Sequence, residues 1–104
     1  GYYDAYYSKA QKVRRVLRDR VNEIFQTHDL ILSPTTPGTA FRHGDVKDPI
    51  KMYLEDIFTV LSNLTGHPSV SIPMGKHTNG LPFGIQFMGR NLEDRSLMSF
   101  AGSL

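Results

Sequence analysis

The feature that most constrains this chain is a change of period at Gly66. Before it, Ile50, Leu54, Ile57, Leu61 and Leu64 recur at spacings of three and four, the signature of one apolar helix face. After it, Val70 and Ile72 alternate with Ser69 and Ser71, the signature of a strand with two unlike faces. Gly66 suits a left-handed helix cap, and Pro68 forbids continuation. Pro49 is favoured at a helix start, where its missing N–H would have no partner anyway. The spacing therefore predicts a helix over 49–65 and a strand over 69–73. Pro73 ends that strand or places it at an edge. One residue is awkward: Asp56 falls at the border of core and solvent, whereas Glu55 points to the open side. Asp56 is either an ordinary border carboxylate or one held where something is bound.

The rest of the chain alternates in the same manner. Tyr6, Ala10, Val13, Leu17, Val21 and Ile24 give a helix over 4–25, with Asp4 at its N-cap or in its first turn. Leu30 to Leu32 reads as a buried strand, ended by Pro34, Pro37 and Gly38. A loop follows through Gly44 to Asp48-Pro49. Asn79-Gly80 signals a turn, and 84–88 reads as a strand with Ile85 and Phe87 opposite Gln86. Asn91 would cap a last helix. The expected class is α/β, with helices packed on a small mixed sheet. Residues 1–104 read as one unit, without repeats and without a linker unless residues 34–48 act as one.

Composition excludes several functions. Apolar residues make up 39% and charged residues 21%, and the net charge is only +2. This is a globular balance, too weakly basic to imply nucleic acid or membrane by itself. There is no cysteine, so thiolate sites are excluded. No apolar run approaches the roughly 20 residues needed to span a bilayer. With no leader visible, the expected compartment is the cytoplasm. The chain starts at Gly1 without methionine and stops in a helical pattern at Leu104, so a piece of a longer protein is expected.

The sequence shows little catalytic chemistry. Neither Gly-rich phosphate motif occurs. His28, His43, His67 and His77 lack ligand spacing, so no metal site is expected. No spacing places a base beside a serine, so no catalytic residue is assigned. On the first helix, Lys12, Arg15 and Arg18 take the polar side, and Arg14 and Arg20 flank the apolar one. They form either a strip for RNA or an acidic partner, or a solvated face paired with Asp19 and Glu23. Tyr2, Tyr3, Tyr6 and Tyr7 read as core packing rather than base stacking.

Four segments, "GYYDAYYSKAQKVR", "LILSPTTPGTAF", "DPIKMYLEDIFTVLSNLTGHPSVSIPMG" and "GLPFGIQFMGR", occur in this order and together resemble the C-terminal part of the amidase signature family. Within it they are most similar to the A subunits of glutamyl-tRNA(Gln) amidotransferases. The resemblance implies a parent that hydrolyses glutamine with a Ser–cis-Ser–Lys triad and passes ammonia to B and C subunits. ATP and magnesium act on the partner subunit, and tRNA is met through the complex. No triad residue maps onto this chain, so the piece alone is expected to be inactive. One binding residue carries over: Asp56 matches the aspartate that meets the substrate's α-amino group. Alternatives are another amidase acting on a small amide, or a stand-alone module using the basic first helix. The isolated piece is expected to self-associate through cut sheet edges and bared apolar faces.

Overall fold

The computed structural model describes residues 2–45 and 48–104, with the backbone alone of Tyr2. The start at Gly1 and the loop residues Val46 and Lys47 lie outside the described residues. In chain order the elements are α1 (Tyr2–Ile24), β1 (Ile31–Pro34), α2 (Pro49–Glu55), α3 (Ile57–Thr65), β2 (Ser69–Lys76), β3 (Pro82–Met88) and α4 (Asp94–Gly102). The three strands lie in the order β1-β3-β2. Both pairings are antiparallel, with Ile31 opposite Met88 and Val70 opposite Phe87. The α/β reading holds, but the expected mixed sheet is antiparallel throughout its described strands. The β2–β3 connection is a tight hairpin, which can only join antiparallel neighbours.

Local chemistry accounts for the hairpin and the caps. His77 N–H donates to Leu81 O (2.8 Å) and Gly80 N–H to His77 O (2.8 Å), around the Asn79-Gly80 signal. Gly80 has φ +83°, which a side chain would strain. The Asp48 side chain caps α2 by accepting from Ile50 N–H (2.9 Å), with Pro49 in the first turn. Gly66 ends α3 at φ +76°, its N–H donating to Ser62 O. Pro73 does lie on an edge strand, but β2 continues past it through a bulge to Lys76. The last helix starts at Asp94 after Glu93, not at Asn91.

Strand alternation sorts the helices onto two faces. Met88 packs with Val21, Phe25, Ile31 and Leu61, so α1 and α3 cover the face of Gln86 and Met88. Phe87 meets Phe100 edge-on at 5.2 Å, so α4 covers the face of Ile85 and Phe87. The core is small: Val21, Phe25, Met88 and Leu97 are its buried apolar side chains among the described residues.

Much of the expected apolar surface lies outside it. α1 rises about 34 Å, yet only its C-terminal third docks. Tyr3 is 78% exposed, and Tyr6, Tyr7, Val13 and Val16 are exposed as well, so these tyrosines are not core residues here. Leu32 points away from the core at 59% exposure, because β1 is a half-covered edge strand. The radius of gyration is 16.4 Å, against about 13 Å for a compact chain of this length. None of the described helices is long and apolar enough to cross a membrane.

Candidate functional site

The helix expected over 49–65 breaks at Asp56. Asp56 N–H donates to Tyr53 O (3.1 Å), the tight pattern of a helix ending, and its backbone sits at φ −99°, ψ 4°. Its carbonyl then accepts from Thr59 N–H (3.0 Å), Val60 N–H (3.2 Å) and the Thr59 hydroxyl (3.0 Å). The Thr59 side chain thus holds the backbone of the new first turn, a local bond that competes with a continuous helix. A second tie is tertiary: Gln86 Nε2, buried in the sheet, donates to Phe58 O (2.7 Å). Ile50 and Leu54 before the break and Ile57 after it are all exposed, so of the expected apolar face only Leu61 and Leu64 are partly buried.

The break also reverses the expected order of the two acids: Glu55 is half-buried and Asp56 is exposed. Among the described residues, the Asp56 carboxylate makes no hydrogen bond and no ion pair, and it does not cap α3.

The sheet beneath is polar on the same face. Gln86 stands opposite Ser71, and Ser71 Oγ lies 2.6 Å from Thr35 Oγ1. This bond joins the two edge strands across the central one, and Gly84 makes room for it. A Cβ at Gly84 would fall 3.0 Å from Ser71 Oγ and 3.2 Å from both Ile72 O and Thr35 Oγ1. A hollow of about 320 Å³ opens beside the pair, lined by Thr35, Thr36, Ser71, Pro73 and Phe83. Asp56 does not line this hollow; its free carboxylate can hold a cationic group, and the two hydroxyls a hydrogen-bonding one. Sequence reasoning singled out Asp56 but missed Thr35, Ser71 and Gly84. The serine alternation and the "PTTP" and "GLPFG" stretches were visible, but not the approach of two strands nearly forty residues apart.

Other polar groups are committed to structure. Arg90 donates from Nε (3.2 Å) and Nη2 (3.0 Å) to Phe25 O, from Nη2 to His28 O (3.2 Å), and pairs with Asp29 (3.3 Å). This ties the end of α1 to the exit of β3. His67, at 5% exposure, packs against Phe25 with ring centroids 5.3 Å apart and planes tilted by 32°. Its Nε2 lies 2.8 Å from Asn22 Oδ1 and its Nδ1 2.8 Å from Thr65 Oγ1. Burial, and secondarily the Arg18 guanidinium, hold its pKa below the usual 6.5. Among the described residues, no cluster of three His, Asp or Glu is arranged to hold a metal. No described serine is hydrogen-bonded to a lysine or histidine; Ser62 and Ser103, for instance, donate to backbone carbonyls.

The amidase family matches residues 1–98. The chain belongs to that family. It is 53% identical over 102 residues to the A subunit of the glutamyl-tRNA(Gln) amidotransferase of Brevibacillus brevis, covering 97% of this chain and 21% of that protein. The crystal structure of the same-named protein from Thermotoga maritima superposes with a TM-score of 0.89 at 48% identity, covering 96% of this chain and 22% of that one. A bacterial aryl acylamidase of the amidase signature family is more distant, with a TM-score of 0.65 and 30% identity over 85% of this chain and 20% of that one. The chain spans about a fifth of the length of the curated relatives it matches.

Proposed function

We propose that this amidase chain is the C-terminal portion of the A subunit of a glutamyl-tRNA(Gln) amidotransferase, an incomplete single unit without catalytic residues of its own. In that reading the whole protein hydrolyses glutamine in the cytoplasm. Its ammonia passes to B and C subunits, which use ATP and magnesium to convert Glu-tRNA(Gln) to Gln-tRNA(Gln). The observation that carries it is identity near one half, held along essentially the entire chain, to proteins of that name. The aryl acylamidase likeness is weaker in both identity and superposition.

Asp56 is the substrate-binding residue in this reading, contacting the ammonium of glutamine. Its support is a carboxylate exposed at a helix break, with no partner among the described residues. The exposed Leu32, Ile50, Tyr53 and Ile57 support a larger parent fold that covers them. Residues 1–104 alone are therefore expected to self-associate; a clean monomer by light scattering at high concentration would count against it.

A transplant tests the reading. Residues 1–104 replace the matching segment of the Thermotoga maritima protein, which is then assembled with its own partners. Glutamine-driven amidation of Glu-tRNA(Gln) should persist within about tenfold of the parent. A chimera that folds, assembles and uses free ammonia but not glutamine would refute it.

A further inference from the structure

We propose that the cationic groove between α1 and the end of α3 binds the phosphate backbone of RNA. The groove encloses about 580 Å³ and is lined by Lys12, Arg14, Arg15 and Arg18, with Leu64 and Gly66 opposite. No acid lines it among the described residues. The described ion pairs of the chain, Arg20 with Glu23 and Arg90 with Asp29, lie elsewhere. The face is exposed as expected, and its expected acid pairing is met by Arg20 with Glu23 but does not reach the groove. Four cations share one concavity with no counter-charge, and a polyanion is the ligand that suits them.

Two features favour RNA over an acidic protein segment. Lys12, Arg15 and Arg18 are three residues apart, a rise of about 4.5 Å per step, so they form a regular ladder along one flank. A nucleic-acid strand presents a regular line of phosphates, and guanidinium groups grip phosphate oxygens in pairs. The neighbouring flank of α1, toward Ala10, Val13 and Leu17, has an apolar hollow of about 510 Å³. Protein interfaces have apolar centres, whereas nucleic-acid interfaces are polar and positive. α1 thus offers an apolar flank for polypeptide and a cationic one for RNA.

The inference rests on the tRNA-dependent reading above. Its test uses the assembled enzyme containing this chain, with a Lys12→Glu/Arg15→Glu double variant and Lys51→Glu on α2 as the control. Amidation is driven by free ammonia at saturating ATP, and Glu-tRNA(Gln) is varied. The KM for tRNA should rise about tenfold or more in the double variant, and the slope of log KM against log salt should fall by about 2. Glutaminase kcat/KM and the Lys51→Glu enzyme should not change. An unchanged tRNA KM or salt slope overturns the proposal. So does loss of a co-purifying partner chain, which would make the groove a protein interface. If the wild-type assembly uses neither glutamine nor tRNA, the functional reading fails separately. Filter retention of tRNA by wild type and double variant then decides the groove alone, with equal retention overturning it.

Discussion

The two ends of α3 carry polar side chains of opposite fate. At its C-terminus, Thr65 and His67 are buried, and the imidazole is bound by Asn22 and Thr65 and covered by Phe25. At its N-terminus, Asp56 is exposed, its carboxylate without a partner among the described residues. One end satisfies every polar atom, as a structural junction must. The other leaves a charge open to solvent. If Asp56 binds substrate as proposed, the same short helix carries structure at one end and recognition at the other, and each end can be perturbed alone.

The largest expected effect is at the closed end. His67→Ala removes a buried ring together with its hydrogen bonds to Asn22 and Thr65. In the full-length protein it should cost about 2–4 kcal/mol of stability. A fall in the urea midpoint reads this, while the KM for glutamine of the remaining folded enzyme stays near wild type. A KM change as large as the stability change would erase the division between the two ends.

Asp56→Ala is the converse. A charge-assisted hydrogen bond is worth about 1.5–3 kcal/mol, so kcat/KM for glutamine should fall roughly 10- to 150-fold. The urea midpoint should barely move, since no described bond of the carboxylate is lost. Activity with free ammonia should also persist. Intact glutamine kinetics would make Asp56 a plain surface charge.

What could be read in the sequence was local chemistry. Pro49, Gly66 and Asn79-Gly80 act within a few residues, so their structures follow from the residues themselves. The break at Asp56 was not legible, because Ile50, Leu54, Ile57 and Leu61 keep one period straight through it. It comes from the Thr59 hydroxyl and from Gln86, 28 residues beyond the carbonyl it holds. The same limit hid the Thr35–Ser71 bond, formed only when β1 and β2 flank β3. Leu32 was misread for a related reason: an apolar run cannot reveal that its strand will be a half-covered edge.

Gly84→Ala gives a smaller effect and touches the open end indirectly. The added Cβ meets Ser71 Oγ at 3.0 Å, where a side chain can turn, but also Ile72 O at 3.2 Å, where the backbone cannot. Overpacking of this kind costs about 1–3 kcal/mol, expected near the lower value because Thr35 and Ser71 can yield. Breaking the hydroxyl bridge should also raise the glutamine KM by a few-fold if that face forms part of the pocket. Ser71→Ala in the Gly84→Ala background should relieve part of the stability loss. If it relieves none, the clash is with the carbonyl and the bridge is irrelevant.

The smallest effect is the pH dependence of the closed end. Either charge state of His67 can keep its hydrogen bonds. In the neutral ring, Nε2–H donates to Asn22 Oδ1 and Nδ1 accepts from the Thr65 hydroxyl, which is also 3.0 Å from Leu61 O. On protonation the hydroxyl turns wholly to Leu61 O and accepts from Nδ1–H. What opposes the cation is burial first, then Arg18 on α1. The folded-state pKa therefore lies below the unfolded 6.5, and between the two the unfolded chain binds more protons. Stability should be flat above about pH 7, should fall as pH drops from 6.5 toward the folded-state value, and should level off below it. The slope is bounded by one proton, about 1.4 kcal/mol per pH unit. His67→Gln keeps polar atoms in the cavity but cannot titrate, so the difference in urea midpoint between wild type and variant isolates this group. That difference should shrink as the pH falls through the window. A difference independent of pH would mean that folding leaves the pKa of His67 unshifted, and that the junction tolerates the cation as readily as water does.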